Sequence, residues 1–207
     1  MADQQLESIQ WLNQIHGCGV YQVVDTVSDK PIQADALWTL CHDIGCAVLT
    51  ADCLSVFVYS PAGPAVGVAH AGWRGLTAGV LQALVKAMPG APESMFCWLG
   101  PAIGEDVYEV GEEVRAAFIA GNGTAAAEVY FRPAEVPGRK CWYADLRGMA
   151  RFILAGMGLA VGSNTENLCT WRDSRFYSYR QAVQGSSGTA EGTSSDTGRM
   201  ASLIWMD

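Results

Sequence analysis

The sequence predicts an α+β fold, and three observations lead there. Half of the 207 residues are apolar and only 16% are charged, against roughly 25% in an average globular chain, so the chain can bury a sizeable core. Short β-type runs mix with three helical periodicities, without the strict alternation of a doubly wound sheet. No apolar stretch nears the roughly 20 residues of a membrane span. One domain over residues 1–207 is the expectation, with residues 184–198 as a flexible loop.

The elements follow in order. Ile9, Trp11, Leu12, Ile15, Val20 and Val23 have mixed period, which gives a short strand, a turn at His16-Gly17-Cys18-Gly19 and a second strand. Ala47–Thr50 and Val56–Tyr59 are β runs flanking Ala51-Asp52-Cys53-Leu54, and Ala65–His70 is a third, buried strand. Gly75 to Met88 is the clearest helix, with Leu76, Val80, Leu84 and Met88 every four residues and Pro89-Gly90 as its stop. Phe96–Leu99 is a strand and Val110 to Ala120 a second helix. Asp145 caps a third helix carrying Leu146, Met149, Ile153 and Leu154, and Ser202–Trp205 closes the chain as a strand. Gln184 to Gly198 is rich in Gly, Ser and Thr, which suits either a tolerated surface insertion or a substrate lid.

Charge and cysteine usage narrow the function. The net charge of −8 offers no positive field to hold nucleic acid or an anionic membrane. The N-terminus lacks the basic and apolar regions of a secretory signal. Seven cysteines are scattered with no CxxC pair, which favours a cytoplasmic thiol protein over a disulfide framework. An oligomer is compatible with all of this.

Chemistry concentrates in a few places. His16 and His70 sit beside turn-forming sequence at strand ends, and Cys53 lies between two strands. Cys53 and His70 are 17 residues apart, a spacing that suits a strand, a hairpin turn and a strand returning to the same end. Two imidazoles and a thiolate form a good set for Zn²⁺ with an open fourth position, and the same set suits copper. Spacing alone leaves open that the three are unrelated. His42, in Cys41-His42-Asp43, reads as a partly exposed loop residue.

Gly72-Trp73-Arg74-Gly75 precedes the best helix. Gly72 would let the backbone approach a ligand, the helix start would offer N–H groups, and Arg74 would add a fork for phosphate or carboxylate. The alternative is an ordinary helix start with a solvated arginine. Arg180 is a second candidate for anion binding, or a surface strand residue. Trp73 and Tyr179 suit either stacking on a flat ligand or the core. Asp52 suits either orientation of a ligand and proton transfer or plain packing and capping.

Taken together, several segments resemble one family. Gln14-Ile15-His16-Gly17, Ala34-Asp35-Ala36, Thr50-Ala51-Asp52-Cys53-Leu54 and His70-Ala71-Gly72-Trp73-Arg74-Gly75 look like its successive motifs. So do Gly100-Pro101-Ala102-Ile103-Gly104, Tyr108-Glu109-Val110, Cys169-Thr170, Tyr177-Ser178-Tyr179-Arg180 and Thr197-Gly198-Arg199. This is the YfiH/YlmD family, whose members are known as laccase-domain or polyphenol-oxidase proteins, purine nucleoside phosphorylases and peptidoglycan editing factors. The resemblance implies a layered α/β sandwich shared with cysteine hydrolases. It implies a metal, zinc or copper, on His16, Cys53 and His70. It departs in two places: the chain starts almost at the first motif, without the Gly-Gly-containing loop and Asn-Leu segment that such proteins usually carry, and the stretch before Thr197 is long.

Three activities follow from the resemblance. The first is a zinc-dependent purine nucleoside enzyme, cleaving adenosine, inosine or methylthioadenosine with phosphate and deaminating adenosine. Cys53, His70 and Asp52 would then be its catalytic residues, and Gly72, Arg74 and Arg180 its anion-binding ones. The second is a copper polyphenol oxidase, which three histidines cannot equip with a four-copper centre. The third is an amide hydrolase of peptidoglycan precursors, with Cys53 as nucleophile and His70 as base.

Overall fold

The computed structural model describes residues 6–30, 32–162, 168–186 and 197–207. Its strands are β1 Ser8–Gln10, β2 Leu12–Asn13, β3 Val20–Val23, β4 Ile32–Gln33, β5 Ala36–Thr39, β6 Ile44–Thr50 and β7 Leu54–Ser60, followed by β8 Ala65–Ala71 and β9 Phe96–Leu99. Further strands are β10 Glu109–Gly111, β11 Phe131–Val136, β12 Arg139–Ala144, β13 Ala160–Val161 and β14 Met200–Ile204. The helices are α1 Trp73–Ala78, α2 Val80–Ala87, α3 Glu112–Asn122, α4 Thr124–Tyr130, α5 Leu146–Gly156 and α6 Tyr179–Ser186.

A six-stranded mixed sheet in the order β13-β9-β7-β8-β5-β3 is the centre of the molecule. Its strands alternate between two cores, as the period of two requires. Leu54, Val56 and Val58 of β7, with Ala65, Ala69 and Ala71 of β8, face the helices and meet Leu76, Val80, Leu84, Met149 and Ile153. Leu37, Val68 and Val23 point the other way, against Ile44, Cys46 and Val48 of β6. That strand is the middle of a second sheet, β1-β6-β14. Helices, large sheet and small sheet are thus three layers, and β8 is buried along its whole length because it is covered on both sides. Its helix-facing residues are small for a reason: a Cβ on Gly67 would come within 3.0 Å of Met88 and Trp38.

Several expectations are corrected here. The helix expected over 75–88 is two helices, broken at Gly79, whose φ of +89° lies in the left-handed region. Val110 belongs to β10, so the second helix starts two residues later, at Glu112. The three-stranded sheet β10-β12-β11 and helix α4 were not anticipated. Residues 184–186, expected in the loop, extend α6, and residues 187–196 of that stretch lie outside the described ones. Arg180 sits on α6 rather than on a strand. Asp145 caps α5 as expected, its carboxylate accepting from the Gly148 N–H at 2.8 Å. Among the described residues, no helix is long and apolar enough to cross a membrane.

Candidate metal centre and adjoining cavity

Strand register brings the chemistry to one end of the large sheet. The β7–β8 hairpin pairs Leu54 with Ala71 and Ser55 with His70, so one step further Cys53 faces Gly72. A Cβ on Gly72 would lie 2.8 Å from the Cys53 sulfur and 3.4 Å from His16 Cδ2. Glycine is therefore required at position 72 to leave room for the thiol, not only for a ligand. On the other side of β8, Ala36 pairs with Ala69, which sets Asp35 opposite His70; the His70 N–H donates to the Asp35 carbonyl at 2.7 Å. Strand β3 pairs Val20 with Ala36, and this brings the His16–Gly19 turn to the same end.

The ligand atoms of His16, Cys53 and His70 all lie within 4.8 Å of one another. That is slightly wider than the about 4 Å expected round a zinc ion. The two imidazole rings meet edge to face, with centroids 4.7 Å apart. Two imidazoles and a thiol at this spacing, with the space above Cys53 kept clear by Gly72, fit a single transition-metal ion. Among the described residues this is the one such group of three. His42 stands apart, exposed and bonded to the Asp207 carbonyl.

Asp35 organises this set; the sequence placed it in a motif of the resemblance, Ala34-Asp35-Ala36, but assigned it no role in the site. Its carboxylate accepts from the N–H groups of Ile15 at 3.2 Å, His16 at 2.9 Å and Gly17 at 2.7 Å, and it meets His70 Nδ1 at 2.8 Å. One fully buried acid thus holds the His16 turn, with His16 at φ +59°, and orients the His70 ring. With Nδ1 on Asp35, Nε2 of His70 is left to the trio, the arrangement by which a carboxylate fixes a ligating histidine. The signal in the sequence was an acid between two alanines at the mouth of a buried strand.

The electrostatics are those of a thiolate–imidazole set. Burial pushes the Cys53 thiol up, but His16 and His70 beside it bring it down to about 7. Burial works against the charged form of His70 too, and Asp35 with Cys53 overcomes this and raises it to about 9. The same burial tends to raise Asp35, and the His70 bond and the N–H groups of Gly17 and His16 hold its carboxyl below the usual carboxylate range. By contrast burial, helped by the neighbouring Cys41, sends Cys46 up to about 12, and burial outweighs the nearby Arg151 to send Cys97 up to about 11, as befits core thiols.

All three ligands border a cavity of about 560 Å³, whose walls also include Gln14, Thr50, Arg74, Tyr179, Thr197 and Arg199. That volume lies in the range of small-molecule sites. Gln14 fixes one wall by exchanging two hydrogen bonds of 2.8 Å with the Leu49 backbone. Arg74 and Tyr179 are here, as the sequence suggested; Gly72, Asp52 and Arg180 are not among the lining residues. Asp52, at φ +87°, accepts from the Thr170 hydroxyl and the Arg180 N–H, both at 2.7 Å. Its carboxylate ties the Cys53 turn to the start of α6, which is the capping alternative. The Arg180 guanidinium donates to the Glu109 carbonyl at 2.7 Å and lies over the Tyr108 ring. A second cavity, of about 600 Å³, shares none of these residues, and its Arg172 is paired with Asp106.

Fold and site define a class of protein: a layered α/β chain with an imidazole–thiolate–imidazole set at the wall of a cavity sized for a small molecule. The chain belongs to the family described as multi-copper polyphenol oxidoreductase laccase, which it matches over residues 1–207. It is 41% identical over 197 residues to purine nucleoside phosphorylase PA4543 of Pseudomonas aeruginosa, covering 95% of this chain and 73% of that one. It is 39% identical, over the same shares, to purine nucleoside phosphorylase YfiH of Escherichia coli. Among solved structures, Neisseria meningitidis protein NMB0706 superposes with a TM-score of 0.78 at 39% identity, covering 96% of this chain and 75% of that one. The hypothetical protein YfiH of Bacillus licheniformis gives 0.79 at 25% identity, covering 96% and 74%.

Proposed function

We propose that this chain is a zinc-dependent purine nucleoside phosphorylase. The observation that carries the reading is the His16–Cys53–His70 set opening onto a cavity that also holds Arg74; relatives named purine nucleoside phosphorylase support it. In the reaction a phosphate oxygen forms a bond to C1′ of the ribose as the C1′–N9 bond breaks. The electron pair leaves with the purine, which takes up a proton, and ribose 1-phosphate is released.

The chain's own residues bind and orient. Arg74 is exposed at the cavity with its guanidinium 4.5 Å over the Trp73 ring, and offers two parallel N–H groups to phosphate. Helix α1 is only six residues long, so the side chain rather than the helix start carries the anion. Tyr179 presents a half-exposed ring for stacking on the purine. His16, Cys53 and His70 would hold the zinc, and when bound the ion supplies a Lewis acid at the cavity wall. Asp35 fixes their orientation. Deamination of adenosine, in which water adds at C6 and ammonia departs, belongs to the same site.

The test is phosphate-dependent release of adenine or hypoxanthine by zinc-loaded protein, lost on chelation and restored by zinc. A second reading, copper-dependent polyphenol oxidation, draws on the family description and on the preference of such donors for copper. The third, amide hydrolysis through Cys53, draws on its lowered pKa beside His70 and needs a metal-free site.

A further inference from the structure

We infer that Arg199 is the second arm of a two-arginine subsite for a tetrahedral oxyanion, binding inorganic phosphate together with Arg74 in the cavity beside the trio. This rests on the phosphorolytic reading and extends it to a residue that had no role from sequence beyond a place in a family motif.

Register places Arg199. Strand β14 runs antiparallel to β6, with Met200 paired to Thr50. The next residue outward, Arg199, therefore leaves the sheet at the point where β6 enters Asp52-Cys53. Its backbone is confined there, since a Cβ on the preceding Gly198 would fall 2.6 Å from the Tyr177 ring. Arg199 and Arg74 both line the cavity that holds the trio.

Charge then selects the ligand. The chain carries 21 acids against 13 bases, yet no Asp or Glu lines this cavity among the described residues. Most other arginines are engaged by protein: Arg115 by Glu112, Arg139 by Glu109, Arg172 by Asp106, Arg175 by Asp173 and Arg180 by the Glu109 carbonyl. Among the described residues, neither Arg74 nor Arg199 has a carboxylate or carbonyl on its guanidinium; Arg74 has only the Trp73 ring beneath it. In an acidic protein, two such forks at one small cavity match a dianion with several acceptor oxygens.

The experiment uses zinc-loaded protein and inorganic phosphate as the probe, without nucleoside. Arg199→Ala is expected to weaken phosphate binding in calorimetry by about 10- to 100-fold, the scale of a hydrogen bond to a charged group. Arg199→Gln should weaken it similarly, and serves if the alanine variant does not fold. In the unmodified protein, phosphate should slow phenylglyoxal labelling of both Arg74 and Arg199, but not of Arg132, whose guanidinium lies over Tyr143. Phosphate affinity unchanged within about twofold in both variants, or Arg199 labelling unaffected by saturating phosphate, overturns the subsite. Nucleoside cleavage is scored separately. Phosphate binding that depends on Arg199 in a protein that cleaves no nucleoside supports the subsite and sinks the phosphorylase reading; cleavage that persists with phosphate affinity indifferent to Arg199 does the reverse.

Discussion

Asp35→Asn removes one charge and no volume, and the structure fixes its consequences in either amide orientation. With the new NH₂ in place of Oδ2, it faces the N–H groups of Ile15 and Gly17, and two hydrogen bonds are lost. With the NH₂ in place of Oδ1, it faces the His16 N–H and His70 Nδ1. His70 must then accept at Nδ1, which moves its proton to Nε2, the atom the trio needs. The first orientation loses two bonds to a charged acceptor and the second loses one while reversing the His70 bond, so the cost is at least about 1.5 kcal/mol, and about 3 kcal/mol if both are lost. For a chain of this size that corresponds to a fall in Tm of roughly 3–12 °C. Disturbing the partner of a ligating histidine lowers metal affinity about 10- to 100-fold. The assays are thermal unfolding of the metal-free protein and competitive zinc titration against a chromophoric chelator. The Asp35 contribution has a definite pH sign. Its carboxyl is held below the ordinary range, so the stabilisation is present above about pH 4 and fades as pH falls through the folded-state pKa. A Tm shift under about 2 °C with unchanged zinc affinity would refute the role given to Asp35.

Other outcomes follow from the same geometry. Cys53→Ser should lose most bound metal while Cys97→Ser retains it, because Cys97 is fully buried on the helix-facing side of β9; metal analysis of the purified variants decides this. Zinc affinity should climb with pH up to about 9, since binding must expel the His70 proton, whose pKa is raised to about 9; proton release in weak buffer reports it directly. Arg74→Ala should leave Tm within the range of a surface substitution, yet weaken the apparent affinity for phosphate in nucleoside cleavage by about 1.5–3 kcal/mol. Copper titration should saturate near one tightly bound ion per chain, because one trio is present among the described residues and His42 lies elsewhere.

The hairpin that carries Cys53 and His70 was legible because both strands are apolar runs joined by a Pro/Gly turn, and their spacing returns the chain to one end. Convergence of His16 followed from its turn-adjacent position but depended on β3–β5–β8 pairings that no local pattern encodes. Asp35 went unread as a site for the same reason: its four partners lie 18 to 35 residues away. Helix periodicity over Leu76, Val80, Leu84 and Met88 was real, and all four are buried. The break at Gly79 was hidden because a left-handed glycine interrupts the backbone while leaving the apolar face toward the sheet. Strand β11 was obscured by Arg132, Pro133 and Glu135, residues tolerated on the edge strand of a small sheet. Arg180 looked free in sequence; the Glu109 carbonyl that engages it comes from a strand 71 residues earlier.

The most direct test of the central claim is phosphorus NMR of protein purified without added copper, loaded in parallel with zinc and with copper, and given adenosine and inorganic phosphate. The account predicts a ribose 1-phosphate resonance growing with free adenine in the zinc sample, absent after chelation and restored by zinc. A zinc form inert toward adenosine, inosine and methylthioadenosine, beside a copper form that oxidises phenols briskly and reduces dioxygen to water, would contradict it.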